Sequence, residues 1–160
     1  MKKFTFSLKI VLTGAICLVF MSFSIVADLM EESSNLQTIL KLHHNDASSK
    51  LAIKRYELQV TNSGFCRYRR FYANGKVEYF SFNLSKFKEL DYLGSDKGGN
   101  LILRTLGDDV IVQTYNDKKQ GDIDSMANYM LIPMKNIEPE NLSDLSLRLT
   151  RMNAQLLAHK

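Results

Sequence analysis

Three hydrophobic patterns follow one another along the chain. An uncharged apolar run occupies residues 10 to 27. Short β-branched or alternating runs, cut by Gly/Asn/Asp/Ser turns, fill the middle. The carboxyl end returns to a helical period: Leu142, Leu145, Leu149, Met152 and Leu156 recur at spacings of three and four. That stripe predicts an amphipathic helix with one face to bury. Pro139 suits its first turn, where a missing N–H costs little. His159 and Lys160 put positive charge near its negative dipole end.

The middle is organised around Phe65–Leu84, the densest aromatic stretch of the chain. Asn74-Gly75 at its centre predicts a hairpin, and loop length decides which side chains share a face. A two-residue loop would place Arg67 and Arg69 beside Phe80 and Phe82, mixing charge into the most apolar surface. A three-residue loop, Ala73-Asn74-Gly75 with Gly75 left-handed, shifts the pairing by one. Cys66, Tyr68, Phe80 and Phe82 then share one face. Phe65, Arg67, Arg69 and Phe71 share the other with Asn83, Ser81, Tyr79 and Val77, and Arg70 faces Glu78. The second register is expected, because a one-residue slip would turn the apolar set outward.

Other elements follow from the same patterns. Asp28–His44 reads as a short helix with Leu36, Leu40 and His43 in helical spacing and Ile39 flanking. Asn45–Lys50 is a polar break, so a compact domain is expected over 51–160 after a helix and linker at 28–50. Tyr56, Leu58 and Val60 alternate with polar residues as in a half-buried strand. The run from Phe87 to Leu93 reads as a strand ending at Gly94, with a helical turn as the alternative. Leu101–Arg104 and Val110–Tyr115 are strong strands joined at Gly107-Asp108-Asp109. Asn116–Asn128 reads as the longest loop, and Tyr129–Ile132 as a short strand closed by Pro133. The sum is α+β: an antiparallel meander of about seven strands, as a bent sandwich or partly open barrel, capped by the C-terminal helix.

The beginning of the chain changes the charge picture. Met1-Lys2-Lys3 and Lys9 precede the apolar run, the pattern of a signal peptide over 1–27, with cleavage before Asp28. At 18 residues the run is also near the lower limit for a membrane anchor. Cys17, inside the run, does not fit a lipidation site. Removing Lys2, Lys3 and Lys9 from the 21 basic residues leaves 18 against 17 acidic, a net of +1 rather than +4. Nucleic acid thereby loses its compositional support as a partner. Cys66 is then the lone cysteine, expected as a small buried hydrophobe, with a reactive thiol or an intermolecular bridge as the alternative. The expected location is bacterial export: periplasmic, outer-membrane-associated or secreted.

The order of strands followed by one sealing helix resembles the pleckstrin-homology-like fold over about Leu51–Leu157. In overall style the chain is also similar to small exported proteins of gut and oral Bacteroidetes. The first resemblance implies a scaffold that binds lipids, peptides or proteins and is rarely an enzyme. Asp124-Ser125-Met126 resembles the short O-glycosylation acceptor of exported Bacteroidetes proteins.

Candidate chemistry is sparse. His43-His44 are adjacent, so on a helix they diverge by roughly 100° and do not chelate together. Asp117, Asp122 and Asp124 flank Gly121, but the calcium-loop slots fall on Asn116, Lys118 and Gln120. Ser95–Asn100 lacks the order of a phosphate-binding loop and precedes a strand. No catalytic residue, metal site or cofactor is assigned, and the reading leans away from an enzyme. What remains is cationic and aromatic: Arg67, Arg69, Lys86 and Lys88 with Phe65, Phe71 and Tyr79. Arg67, Arg69, Phe71 and Tyr79 are the candidate ligand-binding residues, since guanidinium forks beside aromatic faces suit anionic or lipid-like ligands. The alternative is an outer sheet face whose arginines lie over rings and stay wet. The partner is an unknown ligand or protein, with membrane association through an uncleaved N-terminal segment left open. A small periplasmic enzyme, with a cluster such as His43 meeting Asp108 or Tyr115, and an inhibitory or structural partner protein are the competing functions.

Overall fold

The computed structural model describes residues 28–47 and 53–158. The expected signal segment, and with it Cys17, lies outside the described residues, as do 48–50 of the expected break, Leu51 and Ala52 at the start of the expected domain, and the terminal His159 and Lys160.

A helix, α1 (28–42), leads into β1 (Ile53–Val60), β2 (Phe65–Tyr72) and β3 (Val77–Asn83). A 3-10 turn at Leu84–Lys86 passes the chain to β4 (Phe87–Ser95) and β5 (Gly98–Thr105). Then come β6 (Val110–Tyr115), β7 (Ile123–Ala127), β8 (Tyr129–Lys135) and the C-terminal helix α2 (Pro139–Ala158). The strands form two antiparallel sheets, ordered β1-β2-β3-β6-β7 and β4-β5-β8. Both sheets are open.

The hairpin takes the three-residue loop. Cys66 pairs with Phe82, Tyr68 with Phe80, Arg69 with Tyr79 and Arg70 with Glu78. Gly75 adopts φ +90°, the left-handed geometry that its missing Cβ permits. The inner face carries Leu58, Val60, Cys66, Tyr68 and Phe82 into the core. Opposite them stand Leu101 and Leu103 of β5 and Met130, Ile132 and Met134 of β8. Helix α2 brings Leu145, Leu149 and Met152, all buried, with Leu142 and Leu156 half-buried at its ends. Full burial of side chains of this size contributes about 1.5–3 kcal/mol each.

Helix α1 adds Leu36 and Leu40 to the same core. It ends before His43, so the next buried position is His44 and not His43. Buried Glu32 ties α1 to α2 by accepting from Arg148 (3.1 Å) and Arg151 (2.8 Å).

Two expectations are corrected in detail. Among the described residues there are eight strands, because β7 lies inside the stretch expected as a loop. It is short, polar at Asp124 and Ser125, and paired on one side only. Strand β8 runs through Pro133 to Lys135. Proline lacks a ladder donor, but an edge strand tolerates it, and β8 is an edge. The meander divides between the two sheets at β4 and β5, so β3 pairs with β6.

Candidate functional site

The strand register builds the outer face of the five-stranded sheet in rows. One row runs Glu57, Arg69, Tyr79, Gln113, Asp124; the next runs Gln59, Arg67, Ser81, Ile111, Met126. Arg55, Phe71, Val77 and Tyr115 form a third. All four candidate residues, Arg67, Arg69, Phe71 and Tyr79, therefore lie side by side on one surface.

Their side chains interlock. The Phe71 ring sits between two guanidiniums, with Arg55 4.1 Å and Arg69 5.9 Å from its centroid. Arg69 also lies 5.2 Å from the Tyr79 ring. Glu57 bridges the two arginines, at 3.2 Å from Arg55 and 3.4 Å from Arg69. Arg67 stacks on Phe65 at 5.3 Å and has no carboxylate within ion-pair distance among the described residues. Lys86 and Lys88 do not join this surface: they lie in the 3-10 turn and on β4, paired with Asp109 and Glu89.

A second polar assembly on the inner face had no signature in the sequence. His44 is buried, stacked on Tyr56 with ring centroids 3.6 Å apart. With the ring neutral, Nδ1–H donates to Asp46 (2.9 Å) and Nε2 accepts from the Tyr68 hydroxyl (2.7 Å). Burial lowers the His44 pKa from its ordinary 6.5, and Asp46 opposes that only in part. Burial also raises the Tyr68 hydroxyl well above its usual range. Residue types of this kind serve proton transfer in enzymes, but Tyr68 has no exposed surface. The chain of bonds works as a latch between the end of α1 and the sheet. His43 holds the Lys135 carbonyl at 3.2 Å.

Next to the latch, Arg70 pairs with Glu78 at 2.8 Å while lying 4.7 Å from the Phe80 ring. Glu78 also accepts from the Tyr72 hydroxyl (2.8 Å) and from Lys76 (3.0 Å). Burial alone would raise the Glu78 pKa; Arg70, Tyr72 and Lys76 together hold it below the ordinary value. Lys76 continues to Asp117 at 3.1 Å. Asp117 in turn accepts from the Lys119 N–H (2.8 Å), which makes it a turn residue. Cys66 is buried, and burial pushes its thiol up to about 12, so it is a packing residue.

A groove of ≈ 640 Å³ lies between α1 and β1 and is lined by Gln37, Lys41 and Tyr56 through Gln59. Comparison with known proteins finds no matching family model, no matching curated protein and no matching solved structure.

Proposed function

We propose that this chain is an exported, non-catalytic binding domain that holds an anionic or lipid-like ligand on the outer face of its five-stranded sheet, as the pleckstrin-homology-like reading would have it. The observation that carries the reading is Arg67: an exposed-face guanidinium stacked on an aromatic ring and lacking a carboxylate partner among the described residues. Stacking fixes the fork without using its N–H donors, which leaves them for a carboxylate or phosphate. Arg55 and Arg69 share a single glutamate, so the pair retains a net positive charge. Phe65, Phe71 and Tyr79 supply flat apolar area beside these charges.

The export part of the proposal rests on the basic start and the apolar run at 10–27. The non-catalytic part rests on the enclosure of the His44–Tyr68 pair.

The test is a titration of the full chain and its R67A/R69A variant with two soluble probes, a fluorescent oligo-uronate and a short-chain phosphatidic acid. Wild type is expected to bind at least one of them, more weakly as salt rises. The double variant is expected to lose about tenfold or more in affinity, equivalent to about 1.4 kcal/mol, with an unchanged thermal midpoint. Failure of both probes to bind, or unfolding of the double variant, defeats the reading.

A further inference from the structure

Two sheets present four edge strands, and three of them are guarded. On β1 the Gln37 side chain accepts from the Val60 N–H (3.1 Å), and the ladder is broken by an irregularity between Ile53 and Arg55. On β8 the segment after α1 is bound directly: Asn45 N–H donates to the Pro133 carbonyl (2.9 Å) and Lys135 N–H to the His43 carbonyl (2.7 Å). On β4 there is a bulge between Phe87 and Glu89, the Asn153 amide of α2 donates to the Phe87 carbonyl (3.4 Å), and Lys88, Glu89 and Asp91 add charge. These are the ordinary devices that stop sheets from joining at their edges.

Strand β7 carries neither a bulge nor a covering segment, and Asp124 is its single charge. Its sequence, Ile123-Asp124-Ser125-Met126-Ala127, has no proline, no lysine and no glycine, and its pairing with β6 is regular. Among the described residues nothing but β6 hydrogen-bonds its backbone. Large apolar side chains stand exposed around it: Ile123, Met126 and, on the neighbouring strand, Ile111. An open ladder beside uncovered apolar groups is a template for another strand.

We propose that β7 pairs antiparallel with β7 of a second copy of this chain, joining the two five-stranded sheets into one across a two-fold axis at Ser125. The strand is complementary to itself in that register. Ser125 meets the partner's Ser125, and Ile123 meets the partner's Ala127, large against small. Asp124 meets the partner's Met126, so no charge stands directly opposite a like charge; the two Asp124 carboxylates are left on the diagonal. Exchange of the same patch in both directions is what a two-fold interface requires. The pairing also makes the two outer faces continuous, which gives the assembly two ligand surfaces on one side. The interface stands whether or not the proposed ligand reading holds.

The test uses full-length copies carrying two different affinity tags, co-expressed and purified on one tag. Wild-type copies are expected to co-purify, and so are copies carrying Ser125→Thr, which stays neutral. Two Ser125→Lys copies, or two Ser125→Glu copies, place like charges face to face and are expected to lose about tenfold or more of the recovered partner. A Ser125→Lys copy with a Ser125→Glu copy restores recovery. The proposal fails if wild-type copies do not associate. It also fails if the lysine pair associates as well as wild type, as it would were the contact made through residues 10–27, or if the mixed pair does not recover.

Discussion

Arg67 and Arg70 sit three residues apart on one strand and meet opposite fates. Arg67 points outward over Phe65 and keeps its hydrogen-bond donors for solvent or a ligand. Arg70 points inward, where only about a sixth of its side chain is exposed (15%), and its charge is met by Glu78. Removing Arg70 leaves Glu78 half-buried with one partner fewer, so Arg70→Ala is expected to cost about 2–3 kcal/mol. Arg67→Ala is expected to stay within about 0.5 kcal/mol; urea unfolding of both variants checks the pair. His44 gives the corresponding statement in pH. Its pKa is lower folded than the unfolded 6.5, so the unfolded chain takes up the proton more readily. The stabilisation is complete above pH 6.5 and declines as pH falls from there toward the folded value. Glu78, also lowered in the fold, adds a second loss only as pH falls below its ordinary 4.5. The midpoint of denaturant unfolding measured between pH 7.5 and pH 5 should therefore fall in wild type and flatten in His44→Gln. None of the His44 latch could be read from residue types. Its partners Tyr56 and Tyr68 come from strands that only the fold brings to the end of α1, and the break after Leu42 turns His44, not His43, inward.

The hairpin was legible because three local signals agreed on it: Asn74-Gly75, the aromatic alternation and the Arg70–Glu78 charges. Helix α2 was legible for the same reason, with its leucine stripe and Pro139 both pointing to one element. Strand β7 was not, since five residues with two polar ones in the middle have no pattern apart from their partner strand. The split of β4 and β5 into a second sheet was hidden too, because it depends on β3 pairing with the distant β6. One contact between elements can be tested cleanly. Gly64 has φ +83°, and a methyl there would overlap the side chain of Leu156 on α2. Gly75 has φ +90° with open space around it. Gly75→Ala is expected to cost about 1 kcal/mol, the left-handed penalty alone. Gly64→Ala is expected to cost about 2–3 kcal/mol, because packing of α2 on the β1–β2 turn is disturbed as well. Thermal unfolding of the two variants reads the difference.

At the scale of the molecule, polar groups are sorted to the two sides of one sheet. The inner side uses its histidine, arginine and acids to close the core edge, where each is bonded to a neighbour. The outer side keeps Arg55, Arg67 and Arg69 among Phe65, Phe71 and Tyr79. The alternation of β2 made that sorting visible in advance, and the candidate residues came out on a common surface; what it could not show was the third arginine, Arg55, whose place depends on the β1–β2 register. The division of labour between the two sides is the central claim. Arginine side-chain Nε–H signals in a two-dimensional ¹⁵N–¹H spectrum, followed while an oligo-uronate is added, test it most directly. The account predicts that the Arg67 and Arg69 signals move together and saturate while the Arg70 signal stays in place. Movement of Arg70, or shifts confined to Gln37, Lys41 and Tyr56 around the α1–β1 groove with Arg67 and Arg69 unmoved, would contradict it.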